Sequence, residues 1–120
     1  MHERERWIEH AGHRILLHDY SNLSGDEYTN AIHDRVASLT GSGLTDVLLL
    51  LDVTESFVSK DALAAFKQAG VDVRPHVSKI AVIGITGLQK YLLHLINQFS
   101  AVDAKPFDSR AEALDWLVEG

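Results

Sequence analysis

The chain contains no cysteine. This absence excludes disulfide bonds, thiolate zinc sites, iron–sulfur clusters and cysteine nucleophiles. Cations are also few, since 11 Lys and Arg residues stand against 17 Asp and Glu residues and the net charge is -6. Because nucleic acids and anionic membranes are bound by clustered cations, we expect neither as a main partner.

Proline and long apolar runs are scarce as well. Only two prolines occur in 120 residues, and the apolar run Val47–Leu51 is far shorter than the about 20 residues of a membrane helix. The charged start MHERERWIEH lacks the apolar core of a signal peptide. Hydrophobic residues make up 46% of the chain and charged residues 23%. We therefore expect one cytoplasmic globular domain spanning residues 1–120, without membrane insertion.

Turn and cap residues divide the chain into short elements. Ala11-Gly12 lies between two strand-like runs, Arg6–His10 and His13–Asp19, which predicts a β-hairpin. Three capping boxes, in which a Ser or Thr precedes a Glu or Gln by three residues, predict helix starts at Ser24, Thr86 and Ser109. A further helix is predicted over Lys60 to Ala69, ended by Gly70. The remaining strands are predicted at Val47–Asp52, Lys79–Gly84 and Ala101–Phe107.

The order of these elements predicts the fold class. A hairpin is followed by helices and strands in alternation, and such alternation is typical of a parallel sheet covered by helices. We therefore expect an α/β fold with a mainly parallel, mixed sheet, in which the hairpin supplies an antiparallel edge.

Ligands of open α/β sheets bind beyond the carboxyl ends of the strands, so this rim is the first candidate site. The rim residues predicted from the sequence are Asp19, Asp52, Thr54, Glu55, Phe57, Ser59, Gly84, Thr86 and Gly87. The stretch Gly84–Gly87 joins a strand to a helix start, where backbone N–H groups favour an anion. It lacks the fuller glycine-rich nucleotide-binding patterns, and a tight turn is the interpretation that we prefer.

Three stretches, LLLLDVTESFVSKDALAAF, KIAVIGITGLQKYL and AKPFDSRAEALDWL, together resemble the stage II sporulation AA-like (SpoIIAA-like) branch of the anti-sigma-factor antagonist (STAS) superfamily. The resemblance extends from about Ile15 to Leu117. It implies a single STAS-like domain that is not an enzyme and that regulates by binding partners. Some members of the superfamily are switched by phosphorylation or by a small ligand.

The resemblance also assigns residues at the junction after the strand Val47–Asp52. The aspartate of the family matches Asp52, its small hydroxyl residue matches Thr54, and its aromatic residue matches Phe57. The phosphorylatable serine falls at Lys60 or Asp61, neither of which carries a phosphate in the usual way. Ser59 is the possible phosphoacceptor if the register shifts by one residue. The competing interpretation, a helix N-cap at Ser59, is the one that we prefer.

Asp52, Thr86 and Lys105-Pro106-Phe107 also resemble the phosphoacceptor, threonine and lysine–proline of response-regulator receivers. Such a site would form an acyl phosphate at Asp52 with Mg²⁺. The chain lacks the additional strand–helix unit and the paired acids that receivers need. This hypothesis is therefore the lesser alternative.

No enzymatic or metal-binding arrangement emerges from the remaining polar residues. The chain has no G-x-S-x-G elbow, so we expect no enzymatic activity and no cofactor. His10 and His13 would pair across the hairpin, but strand alternation turns His18 to the other face. Since a structural metal site usually needs about four ligands, we expect no metal.

Three apolar residues on predicted helices mark a candidate interface, and they are Tyr91, Leu93 and Trp116. Aromatic and leucine anchors contribute most of the energy at protein interfaces. A groove between helices could equally take a small apolar ligand. The sequence therefore predicts a regulatory, protein-binding domain that forms a homodimer, with a carrier or sensor of a small apolar or anionic ligand as the alternative.

Overall fold

Five β-strands and three α-helices make up residues 5–86 and 104–119, the part of the chain that the computed structural model describes. The strands are β1 (Glu5–His10), β2 (His13–Asp19), β3 (Val47–Asp52), β4 (Val77–Ile83) and β5 (Ala104–Phe107). The helices are α1 (Gly25–Thr40), α2 (Lys60–Asp72) and α3 (Arg110–Leu117). None of these helices is both long enough and apolar enough to span a bilayer.

The predicted hairpin is confirmed. Ala11 and Gly12 both have positive φ angles, 52° and 82°, as a two-residue turn between right-twisted strands requires. The turn places His10 directly opposite His13, and all six residues of β1 pair with residues 13–18 of β2. Glycine is suited to this conformation, whereas Ala11 adopts it at a steric cost.

The strands form one sheet in the order β1-β2-β3-β4-β5. The β1–β2 pair is antiparallel and the three other pairs are parallel. The mixed sheet with an antiparallel edge is therefore as the sequence predicts. Because neighbouring parallel strands run in the same direction, their carboxyl ends meet at one edge of the sheet.

Each face of the sheet carries its own apolar core. On one face α1 and α2 cover Leu16, Leu49 and Val82. On the other face α3 contributes Ala113 and Leu117, which pack with a second set of strand residues, Ile15, Leu17, Leu50, Ala81 and Ile83. Burial on both faces explains why the central strands are continuous apolar runs without alternation.

Several element boundaries differ from those that the sequence predicts. The α2 helix continues through Gly70 to Asp72, and its C-cap Val73 is buried. Packing of Val73 outweighs the about 1 kcal/mol that an interior glycine costs a helix. Ser24 is the N-cap of α1, yet its side chain makes no capping hydrogen bond. The predicted helix from Thr86 to Phe99 lies outside the described residues beyond Thr86 itself, as do residues 101–103 of the last predicted strand.

Candidate functional site

The carboxyl ends of β2, β3 and β4 are joined by backbone hydrogen bonds that continue past the strands. The N–H of Tyr20 donates to the carbonyl of Asp52 at 2.7 Å, and the N–H of Val53 donates to the carbonyl of Ile83 at 3.0 Å. Asp19 and Asp52 are register partners. The structure therefore brings Asp19, Asp52 and the loops that follow β3 and β4 together at this edge of the sheet.

The Asp52 carboxylate is occupied by its own loop. Its Oδ1 atom accepts hydrogen bonds from the Thr54 N–H at 3.0 Å and from the Thr54 hydroxyl at 2.6 Å. Its Oδ2 atom lies 3.8 Å from a guanidinium nitrogen of Arg110, the first residue of α3. A carboxylate with these contacts stabilises a turn, because its short side chain accepts a hydrogen bond from the backbone N–H two residues later in the chain. Asp19 does the same, since its Oδ1 accepts from the Ser21 N–H at 2.8 Å.

Gly84 lies directly against Thr54. It has a φ of 84°, and a Cβ atom at this position would come within 2.6 Å of the Thr54 Cα. Only glycine fits both the backbone conformation and the space. This close approach fixes the loop after β4 against the loop after β3, and the predicted tight turn over Gly84–Gly87 extends beyond the described residues.

Hydrogen bonds to the buried side chain of Ser56 hold the segment from Val53 to Ser59 in place. The Ser56 side chain is buried, and its hydroxyl donates to the Val53 carbonyl at 2.7 Å. Because that proton is used, the Tyr28 hydroxyl donates to Ser56, with the oxygens 3.1 Å apart. Burial raises the pKa of Tyr28 to about 12, which keeps the hydroxyl protonated as a donor.

Phe57 is presented to solvent by this loop. Its backbone N–H donates to the Leu23 carbonyl at 3.0 Å, while its side chain is 72% exposed. Glu55, two residues earlier, has a φ of 56°, a left-handed conformation that costs a residue with a Cβ about 1–2 kcal/mol. The loop thus holds an exposed aromatic ring and an exposed carboxylate on a fixed backbone.

Ser59 is the N-cap of α2. Its hydroxyl oxygen accepts a hydrogen bond from the Ala62 N–H at 3.1 Å. The N-cap interpretation is therefore confirmed, and Lys60 and Asp61 are the first residues of the helix.

Of the remaining predicted site residues, the structure describes Trp116 and Thr86. Trp116 is half-buried, and its ring packs on Phe107 with the centroids 5.4 Å apart. The ammonium of Lys79 lies 4.9 Å from the Trp116 ring and donates to the Trp116 carbonyl. Thr86 is exposed at the end of the described segment, whereas Gly87, Tyr91 and Leu93 lie outside the described residues.

Glu5, His18 and Arg35 form a polar cluster that the sequence patterns did not predict, hereafter the Glu5 cluster. The Nε2 atom of His18 lies 2.9 Å from Oε2 of Glu5, and the other oxygen of Glu5 accepts from the Ser38 hydroxyl at 3.0 Å. Arg35 is buried with its guanidinium 5.1 Å from the Tyr20 ring centre. Arg35 lies three residues after Ile32, on the inward face of α1. This helical spacing is the sequence signal that could have predicted its burial.

The other histidines behave as strand alternation predicts. His10 and His13 are register partners, and His18 is buried on the opposite face among α1 residues. His10 approaches Asp115 of α3, with Nε2 and Oδ1 2.8 Å apart. Within residues 5–86 and 104–119, no three His, Asp or Glu side chains are grouped so that they could hold a metal ion.

Comparison with known proteins agrees with this architecture. The model of the SpoIIAA-like family matches residues 19–118, whereas none of the curated proteins matches significantly. The chain is similar in structure to an uncharacterized DUF3478-family protein with a SpoIIAA-like fold from Shewanella loihica PV-4, with a TM-score of 0.70. The two share 23% sequence identity over 94% of this chain and 91% of that one, a likeness that shows the fold. Because the family model covers most of the sequence, this chain belongs to the SpoIIAA-like family.

Proposed function

We propose that this chain is a non-enzymatic regulatory domain that binds a protein partner through the rim of its sheet and forms a homodimer. Membership of the SpoIIAA-like family supports the class of function, because domains of this kind generally bind proteins. The Asp52 carboxylate is engaged by Thr54 and faces Arg110, which supports a structural role for it. Because this carboxylate is engaged within the fold, we favour binding of a partner at the rim over catalysis there.

The observation that carries the proposal is the exposure of Phe57. The Phe57 side chain is 72% exposed. Binding to a partner would remove this apolar surface from water, which is favourable. The backbone of Phe57 is already fixed through Leu23 and the buried Ser56. An anchor held in advance costs less ordering entropy on binding, and aromatic anchors in partner pockets contribute most of the interface energy.

Ser59 is a candidate phosphorylation switch next to Phe57. It directly follows Phe57 and Val58 and precedes the first turn of α2. A phosphate on the Ser59 oxygen would lie at a helix N-terminus, which favours negative charge. Phosphorylation there would change the charge two residues from the proposed anchor, and this part of the proposal is tested by peptide mapping of protein isolated from its own cells.

The experiment compares capture of cellular proteins by the wild type, by Phe57→Ala and by Val71→Ala. Val71 is also exposed, at 49%, but it lies in the last turn of α2, so it controls for loss of any exposed apolar side chain. We expect a partner that is retained by the wild type and by Val71→Ala and lost with Phe57→Ala. A set of captured proteins that is the same for all three baits would overturn the proposal.

Native mass spectrometry of the freshly purified chain tests the remaining parts. We expect a dimer without extra mass. A monomer at high concentration would contradict the homodimer. An added mass that is lost on denaturation would instead favour the small apolar or anionic ligand, and an added phosphoryl group that survives denaturation would identify a modified residue.

A further inference from the structure

Acidic residues flank Phe57 in its own loop and at the starts of α1 and α2. Four exposed carboxylates belong to its loop and to the two helix starts that flank it, and they are Asp26, Glu27, Glu55 and Asp61. The same segments contain one cation, Lys60. We call Phe57 together with these four carboxylates the Phe57 surface.

Two contacts bring these residues to one place. The hydrogen bond from the Phe57 N–H to the Leu23 carbonyl joins the loop to the residue immediately before the α1 N-cap. Asp26 and Glu27 lie in the first turn that follows. On the other side, Ser59 caps α2 directly after the loop, so Asp61 lies in the first turn of that helix.

The four carboxylates remain available to a partner. In the part of the chain that the structure describes, none of them makes an ion pair. Interaction with helix N-termini accounts for Asp26, Glu27 and Asp61 within the fold. It does not account for Glu55, which precedes α2 and keeps its charged side chain in a left-handed conformation.

From this arrangement we infer that the partner presents an apolar pocket rimmed by lysine or arginine side chains, with the pocket receiving Phe57 and the cations facing the four carboxylates. The inference rests on the proposed function and specifies the chemistry of the partner. Complementary charge around an apolar anchor speeds association and excludes partners of the same sign. The excess of acidic residues in the whole chain adds to the same preference.

A library of random peptides of about 12 residues displayed on phage, selected against the immobilised wild-type protein, tests the inference without a known partner. We expect the selected peptides to combine an apolar residue with several Lys or Arg residues. Their affinity should fall about tenfold or more with Phe57→Ala. It should also fall about threefold or more between about 50 and about 300 mM sodium chloride.

A variant with fewer carboxylates measures the electrostatic contribution to peptide binding. Glu55→Gln combined with Asp61→Asn should weaken the same peptides by about threefold or more, and Glu9→Gln combined with Asp34→Asn should not. Glu9 and Asp34 are also exposed carboxylates, but they lie outside the Phe57 surface. Thermal unfolding of each variant checks that the fold is kept.

The outcomes separate the inference from the proposed function. Two outcomes would overturn the inference and leave the proposed function standing. In the first, the selected peptides require Phe57 but contain no Lys or Arg residues. In the second, their affinity changes neither with the salt concentration nor with the substitutions of Glu55 and Asp61. Peptides that bind the Phe57→Ala variant as well as the wild type, or a selection that yields no binder, count against both.

Discussion

The Nε2 atom of His18 lies 2.9 Å from Oε2 of Glu5, its cross-strand partner on the antiparallel edge of the sheet. Burial lowers the pKa of His18, and the contact with Glu5 opposes this effect only in part. The pKa of Glu5 is itself lowered, chiefly by His18. Arg35 reaches the same cluster from α1 and also disfavours a charge on His18. At neutral pH the cluster therefore holds an ionised Glu5, a neutral His18 and a cationic Arg35.

This arrangement predicts a loss of stability in mild acid. The unfolded chain takes up the histidine proton near the ordinary pKa of 6.5, whereas the folded protein takes it up only at lower pH. Between these two pKa values the unfolded state binds more protons, so the free energy of unfolding falls as the pH drops below 6.5. Glu5 adds to the loss only below its ordinary pKa of 4.5. Urea denaturation at a series of pH values measures the slope.

The variant His18→Gln should flatten this dependence between pH 6.5 and the onset of carboxylate titration. His33→Gln is the matched control, because His33 lies exposed on α1. Equal slopes for the wild type and His18→Gln in this interval would show that His18 does not titrate differently in the folded state.

A glycine pair separates backbone strain from steric overlap. Gly43 and Gly84 have similar φ angles, 76° and 84°, but a Cβ atom meets open space at Gly43 and overlaps Thr54 at Gly84. Gly43→Ala should cost about 1 kcal/mol of unfolding free energy. Gly84→Ala should cost a further about 1–3 kcal/mol for overpacking. Chemical denaturation of both variants provides the comparison, and equal costs would show that the loops after β3 and β4 separate easily.

The three serine caps should differ in their contribution to stability. Ser59 and Ser109 accept hydrogen bonds from the N–H groups of Ala62 and Glu112, whereas Ser24 makes no such bond. Ser59→Ala and Ser109→Ala should each lower the free energy of unfolding by about 1 kcal/mol. Ser24→Ala should change it by less than about 0.5 kcal/mol. A loss for Ser24→Ala as large as the other two would mean that its cap forms in solution.

The geometry of Asp52 predicts that it does not accept a phosphoryl group. Its Oδ1 atom is held by two hydrogen bonds from Thr54, and its Oδ2 atom faces Arg110. We expect the intact mass of the protein to be unchanged after incubation with Mg²⁺ and acetyl phosphate. A gain of one phosphoryl group in the wild type that is absent in Asp52→Asn would reinstate the acyl-phosphate hypothesis.

The order of the described strands and helices was predictable because it depends on signals that act over a few residues. The turn at Ala11-Gly12, the continuous apolar run of β3 and the cap at Ser109 each act locally, and the structure bears out all three. The end of α2 was not predictable in the same way. Gly70 is a local stop signal, but burial of Val73 carries the helix past it.

The candidate site was predictable only in its location. Parallel strands must end at a common edge, so the sequence placed Asp19, Asp52 and Gly84 at one rim. It did not show that Asp52 is occupied by Thr54, or that Phe57 points to solvent. Both depend on how the loops after different strands pack on one another.

The sequence by itself determined the fold class of this protein, the hairpin edge and the rim as the candidate site, since each follows from local turn chemistry and hydrophobic patterning. Only the tertiary structure decided that Glu5, His18 and Arg35 share a cluster between β1, β2 and α1, and that the Phe57 side chain is exposed. The physical reason is that burial and charge pairing are set by residues distant in sequence. Their contacts form only when β1, β2 and α1, or the loops after β2 and β3, are packed together.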